Sequence, residues 1–292
     1  MPAGTQSAPE IHIRRATPDD VAVCGKICYE AFTKISTDHA FPPDVPSVEA
    51  GRHLLSMMFS HPGFYCVVAE SDGRIAGSNC LDERSPIAGI GPITVDPETQ
   101  NRGVGRRLMQ AVMDRARERN FPGVRLVQAA FHNRSLSLYT MLGFDPRELL
   151  ACMQRPAIRQ SIEGCAVRPA EARDADECNR LCRRVHGHDR AGELADAIGR
   201  TAVVVERHGR VTGYATVLGF FGHAVAESNL DLQAMIAAAE KFAGSGILVP
   251  TRNAELFRWC LAQGLRVVQP MTLMTVGLYN EPAGAYIPSI LY

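Results

Sequence analysis

The sequence predicts two tandem α/β domains, each a mixed, mostly antiparallel sheet flanked by helices. Three observations predict it. The 292 residues suit about two domains at ~100–200 residues apiece. The chain also repeats itself: Ile13 to Asp20 (IRRATPDD) returns as Val167 to Asp174 (VRPAEARD), Cys24 and Cys28 return as Cys178 and Cys182, and Val67 to Gly77 returns as Val203 to Gly213. Finally, apolar spacing in each copy switches between the periods of strand and helix.

The elements follow in order. Ile11–Arg15 and Ala166–Arg168 read as opening strands. In the first copy Pro18 with Asp19 and Asp20 is a helix-start signal. The loop after that helix, Thr33–Ser47, holds three prolines. A hairpin comes next, Tyr65–Glu70 and Arg74–Leu81 around Ser71-Asp72-Gly73, matched by Ala202–Glu206 and Arg210–Leu218 around Arg207-His208-Gly209. Asp-Gly and His-Gly between β-branched runs suit turns that need positive φ. Ile93–Val95 is a short strand. Val104, Leu108, Ala111, Val112 and Ala116 then form an apolar stripe on a helix. Val124–Ala130 reads as a buried strand, and Ser135–Leu142 as a last helix stopped by Gly143. The expected organisation is a disordered start (1–10), a first domain (11–155), a linker (156–164), and a second domain with a C-terminal tail (165–292).

Composition narrows the function. Thirty-one basic residues balance 31 acidic ones, whereas nucleic-acid-binding domains carry a basic field. No apolar run nears the ~18 residues that span a bilayer, and the first ten residues lack the pattern of a signal peptide. The expectation is a cytoplasmic protein with no membrane or nucleic-acid partner. Nine cysteines then read as reduced thiols. The recurring i, i+4 cysteine pairs read as small buried helix-face residues, and His186-Gly-His188 lacks matching ligand spacing, so no metal is expected.

The chemistry concentrates in Asp96 to Gly105 (DPETQNRGVG), where Gln100-x-x-Gly103-x-Gly105 opens a helix. Two glycines there let successive N–H groups converge on one site, and a helix N-terminus adds donors and a positive dipole end, which suits a diphosphate. The loop has neither the Gly-Lys-Ser/Thr ending of a nucleotide P-loop nor the third glycine of a dinucleotide fingerprint.

This loop, followed by a strand, Asn133, Tyr139 and Leu142-Gly-Phe144, resembles the GNAT superfamily of acyl-CoA-dependent N-acetyltransferases. The tandem arrangement is similar to a bacterial subgroup described as YitH-like. The resemblance implies acetyl-CoA as co-substrate and two GNAT-like domains, the second degenerate. Backbone groups of Ile93, Thr94 and Val95 would pair with pantetheine amides. Gln100, Asn101, Arg102, Gly103, Val104, Gly105 and Arg106 would hold the pyrophosphate, with Arg102, Arg106 and Arg107 available to a 3′-phosphate. Asn133 would bond near the cofactor, cap its helix, or do both. Tyr139 would be the general acid or a packing aromatic, and the N–H of Ile93 or Val95 the oxyanion donor.

The strand before the loop lacks the family's glutamate. Glu83 is the candidate base, with Asp82, His132, His39 and Asp44 as further candidates; His39, Asp44 and Asp82 are also placed on the acceptor side. The acceptor is expected to be a primary amine on a small molecule or peptide. The second copy has no such loop, carries Glu227-Ser-Asn229 near its helix start, and has Trp259 for the tyrosine. One cofactor site per chain is therefore expected. The second domain would close the acceptor pocket or offer an oligomer surface, such as that of a homodimer. A non-catalytic acyl-CoA-binding regulatory module is the competing reading.

Overall fold

The structure, a computed structural model, describes residues 10–291; the expected disordered start lies almost wholly outside them. The chain forms two compact units, one of Met1–Asp82 with Ile90–Asn120 and the other of Glu83–Gly89 with Phe121–Tyr292. Elements are numbered in chain order across both.

The first unit holds β1 (Ile11–Arg15), α1 (Val21–Asp38), α2 (Val48–Ser60), β2 (Phe64–Ser71) and β3 (Arg74–Asp82). The short strand β4 (Ala88–Ile90) reaches it at Ile90, and β5 (Thr94–Val95) and α3 (Val104–Glu118) complete it. β2 pairs antiparallel with β1 and β3, and β3 pairs with β5. Asp72 and Gly73 both have positive φ at the hairpin turn, as do His208 and Gly209 in the other copy, which matches strand twist in two-residue turns. The expected stripe forms: Val104, Leu108, Val112 and Ala116 are buried on α3, joined by Met109 and Met113.

The recurring Arg and Asp have a shared structural cause. Arg14 on β1 forks onto both oxygens of Asp20, and its Nε donates to Glu70. Arg168 makes the same fork onto Asp174 and reaches Glu206. Each Asp also accepts a backbone N–H at the start of its helix, from Thr17 or Glu171. The Arg14 guanidinium and these N–H donors outweigh burial and hold the Asp20 carboxyl at about 2.

Two expectations need correction here. α1 runs through Asp38, so six residues that sequence placed in the loop, Thr33 to Asp38, are helical, supported by the i, i+4 pair Lys34–Asp38. His39 is then the helix C-cap, exposed, with its Nδ1 against the Ile35 carbonyl at 3.0 Å. Met-rich α2 follows the prolines, capped by Ser47, whose hydroxyl accepts from the Ala50 N–H.

The second unit contains β6 (Gly123–Ala129), α4 (Asn133–Met141), β7 (Asp145–Gln154), β8 (Ala166–Pro169), α5 (Ala175–His186) and α6 (Ala191–Ala197). It continues with β9 (Val203–Arg207), β10 (Arg210–Ala215), β11 (Ala224–Ala226), α7 (Asn229–Ala238), β12 (Ile247–Pro250), α8 (Ala254–Ala262), β13 (Arg266–Gly277) and β14 (Ala285–Ile287). One sheet runs β14-β11-β10-β9-β8, all antiparallel; the tail thus folds back as β14 onto β11. The other set interleaves the repeats. β13 lies between β6 and β7, and β12 pairs with the far edge of β7, all antiparallel. Ala88 and Gly89 of β4 pair parallel with Val124 and Arg125 of β6. Met153 of β7 is buried in one cluster with Ile247, Leu232 and Leu256 from the second copy.

The i, i+4 cysteines Cys24, Cys28, Cys178 and Cys182 are all fully buried on α1 and α5. Burial pushes the thiols of Cys24, Cys28 and Cys178 up to about 12, away from the thiolate that gives cysteine its reactivity. His186 ends α5, edge-on to the Tyr286 ring, and is buried with His188 and His223.

These histidines make stability fall early on acidification. Burial holds all three below the ordinary value, His188 at about 4, with cationic neighbours adding to the effect. An unfolded histidine takes its proton near ~6.5, so stability is complete above that pH and is lost as pH falls towards the folded values. At pH 5 His188 alone costs about 2 kcal/mol. A thermal series from pH 7.5 to 5 should show the midpoint dropping by roughly 4–8 °C for that residue, with His186 and His223 adding to it. A flat series contradicts this account.

Candidate functional site

The expected phosphate loop lies between β5 and α3. The carbonyl of Ala76 on β3 accepts from the Asp96 N–H, so the 76–96 pair is hydrogen-bonded. Bonding alternates along antiparallel strands, and the register sets Thr94 opposite Ser78 and Val95 opposite Gly77. Thr94 therefore spends its backbone groups on β3, whereas those of Val95 point away from it. Of the three backbone positions expected to face a ligand, Val95 presents its free edge and Thr94 does not. Ile93 lies just outside β5, so the predicted strand is shorter by one residue.

The loop is then turned by its own side chains. Asp96 accepts the Glu98 N–H on its carboxylate and the Thr99 N–H on its carbonyl, while Thr99 reaches back to the Ala76 carbonyl. Gln100 Nε2 lies 3.5 Å from the Val95 carbonyl. Two residues take left-handed backbone, Asn101 at φ 68° and Gly103 at φ 89°. Gly103 is the N-cap of α3 and supplies no side-chain cap, so the first-turn N–H groups of Val104 and Gly105 lack both an intrahelical and a side-chain acceptor there. The site is exposed at Asn101, Arg102, Gly103 and Arg106. Arg107 points elsewhere, with its Nη2 3.5 Å from the Ile11 carbonyl. These features together make a cradle for an anion. A groove of ≈ 360 Å³ on the α1 side of the same loop is lined by Lys26, Glu30, Asp72, Arg74 and Asp96; its mixed charge selects no anion.

The second unit carries the other expected residues. Tyr139 is buried on α4, its ring 6.3 Å from that of Phe144. Burial raises the phenol's pKa, so it stays protonated at neutral pH. Asn133 does not cap α4: His132 occupies the cap position, and Asn133 is the exposed first helical residue. Asn253 in the second copy does cap, its Oδ1 accepting the Leu256 N–H. Glu83 is half-buried just past β3, with Asp82 buried beside it. Asp44 is half-buried in the proline loop.

The counterpart of the loop in the second copy is closed from within. β11 reaches α7 through Glu227 and Ser228. Ser228 and Asp231 form a capping box, with the Ser228 N–H and hydroxyl both donating to Asp231 Oδ2. Asp231, fully buried, also takes Arg207 and Thr212. Despite burial, these donors hold its carboxyl below the ordinary range. Glu227 is bound by Arg184 and Arg210. Asn229 and Asn253 exchange reciprocal amide bonds of 3.1 and 2.8 Å, tying the starts of α7 and α8 together. That helix end has its carboxylate built in, so a phosphate there meets like charge. Sequence reasoning found Glu227 and Asn229 but missed Asp231; its signal was the Ser-x-x-Asp spacing of a capping box.

Residues 29–144 match the model of the acetyltransferase (GNAT) family. A mycothiol acetyltransferase of Nocardia farcinica is 38% identical over 65 residues, 22% of each chain. One from Thermobifida fusca is 30% identical over 96 residues, 30% of each chain. The alignments thus span less than a third of either relative. An uncharacterized N-acetyltransferase of Escherichia coli, YjgM, is 24% identical over 46% of this chain and 81% of its own. The fold is similar along nearly the whole chain to a solved structure from Pyrococcus horikoshii (TM-score 0.74, 19% identity, covering 98% of this chain and 95% of that one). A GCN5-related N-acetyltransferase from Sphaerobacter thermophilus is similar too (TM-score 0.62, 15% identity, covering 93% and 96%). No helix among the described residues is long and apolar enough to cross a membrane, and they contain no cluster of three or more metal-ligating side chains.

Proposed function

On the premise that residues 29–144 form a GNAT-family segment, we propose that this protein is a cytoplasmic N-acetyltransferase of the tandem, YitH-like type. It moves the acetyl group of acetyl-CoA to a primary amine of a small molecule or peptide, by direct attack in a ternary complex. The names of the matched relatives support an acyltransferase, and the observation that carries the reading is the loop Gln100–Arg106. It combines two left-handed residues, a helix start without a side-chain cap, and a flanking strand edge with outward-pointing backbone groups.

In this reading the 100–106 backbone holds the pyrophosphate, and Ile93 and Val95 pair with the pantetheine arm, one of their N–H groups receiving charge on the thioester oxygen. The amine nitrogen attacks the carbonyl carbon, the carbon–sulfur bond breaks, and the proton lost by the amine passes to Glu83. Tyr139 hands its proton to the departing thiolate. His39, Asp44 and Asp82 belong to the acceptor side, His39 through a ring that the Ile35 carbonyl orients. The capped start of α7 supports one cofactor site per chain, with the second copy as scaffold. A homodimer is part of the proposal.

Tyr139→Phe should lower kcat by about 10²–10³-fold and leave the Kd for coenzyme A within about threefold, because a lost proton donor acts in the transition state alone. Burial raises this phenol's pKa, so the wild-type rate should show no alkaline loss from Tyr139 up to about pH 10. Full turnover in Tyr139→Phe assigns the ring to packing. Tight coenzyme A binding with no turnover for any amine in a broad panel favours the regulatory module instead.

A further inference from the structure

The segment Glu83–Gly89 leaves the first copy and is held in the second unit by the second copy. Arg84 Nη1 donates to Asp196 Oδ2 at 2.9 Å. One turn earlier on the same face of α6, Gly192 faces the Arg84 backbone: a Cβ there would lie 2.4 Å from the Arg84 carbonyl oxygen. At the segment's other end, a Cβ on Gly89 would lie 2.2 Å from the Leu291 carbonyl oxygen. Contacts this close leave room only for glycine, so the segment is clamped at both ends.

α6 is itself fixed from beneath. Glu193 points into the second copy and accepts from Arg190, from His223 Nδ1 at 2.9 Å and from Thr216 Oγ1 at 3.2 Å. Burial opposes its ionisation, but Arg190 and His223 outweigh it and keep the carboxylate charged. His223 then carries its proton on Nδ1, and Nε2 accepts the Tyr214 hydroxyl at 2.9 Å. A buried ionic set of this kind is costly to disturb, which makes α6 a rigid support.

We infer that Asp196 and Gly192 are positioning residues for the proposed acetyl transfer: through Arg84 they fix the backbone that bears Glu83 and that continues, by Ile90-Gly91-Pro92, into β5. The inference rests on the acyltransferase reading above and gives the degenerate copy a specific task. It separates the roles of the two faces of α6, with Glu193 holding the helix and Asp196 using it.

The test compares full-length wild type, Asp196→Ala and Asp196→Glu. Asp196 is more than a third exposed, so the substitutions should leave the fold intact. In Asp196→Ala, amide exchange in residues 83–90 should quicken at least tenfold. The acceptor kcat/KM should fall about tenfold, the acid limb of its pH profile should move, and the KM for acetyl-CoA should stay within twofold. Asp196→Glu should recover most of both. Unchanged exchange overturns the anchor. Faster exchange with unchanged acceptor kinetics and pH profile overturns the positioning role. A wild type that acetylates no amine sinks the reaction proposed above and with it this positioning role, while exchange still decides whether the anchor exists.

Discussion

Gly103→Val should weaken coenzyme A binding at least a hundredfold and leave the protein folded. Gly103 sits at φ 89°, a conformation that costs a β-branched residue about 1–3 kcal/mol. Space is not the obstacle, since a Cβ at this position would meet only Ile11 Cδ1 at 3.9 Å. The strain is instead relieved by rotating the peptides on either side of the residue, which turns their N–H groups away from the cradle. A hundredfold is about 2.7 kcal/mol, the scale of one or two hydrogen bonds to a charged group. Calorimetric titration with coenzyme A measures the loss, and the circular dichroism melt reports the fold. Affinity within threefold of wild type would remove the loop from the site. The same titration on a second-copy variant such as Asn229→Ala should show no change, because a built-in carboxylate already occupies that helix start.

The loop was legible in sequence because its chemistry is local. Glycine spacing, a helix stripe and a preceding strand are all readable within a short stretch of sequence, and so are the hairpin turns. What escaped depended on distant partners. α1 continues past Thr33 although Ile35, Thr37 and Thr33 are weak helix formers, because a side-chain pair and tertiary packing override that preference. Asp231 looked like an ordinary helix residue until Arg207, Thr212 and Ser228 were seen to converge on it. Asn133 and Asn253 match in the sequence repeat, yet only Asn253 caps, because Asn133 falls one residue past the cap position, which His132 holds with nearly the same backbone angles as Asn253. Glu83 could be named from its position after a strand, but nothing near it in sequence announced that Asp196 and Gly192 would hold its neighbour.

Residues 1–155 made alone should fail to reach the native fold, as should 165–292. The repeat boundary falls within a linker whose residues are mostly exposed or half-buried, which suggests two separable pieces, but the strands disagree. The ten-residue β7 has β13 on one edge and β12 on the other, both from beyond the linker. β6 also loses β13. Isolating the first half would expose both edges of β7 together with Leu150, Cys152 and Met153, which are fully buried in the whole chain. Full burial of a large apolar side chain is worth about 1.5–3 kcal/mol, and domains are stable by only about 5–15 kcal/mol. Losing several such residues along with three rows of backbone bonds therefore exceeds what the fragment retains. An unpaired strand with apolar faces also invites aggregation. Produced together, the two halves should associate one to one and bind coenzyme A as the intact chain does, since every strand regains its partner and only linker residues 156–164 are missing. Size-exclusion chromatography and near-ultraviolet dichroism decide the matter. A monomeric 1–155 with native-like dichroism would mean that β7 finds a partner within its own half, and the interleaved strand order would then be wrong. The two repeated halves thus share one set of strands, β6 and β7 from the first with β12 and β13 from the second, so neither half is dispensable to the other.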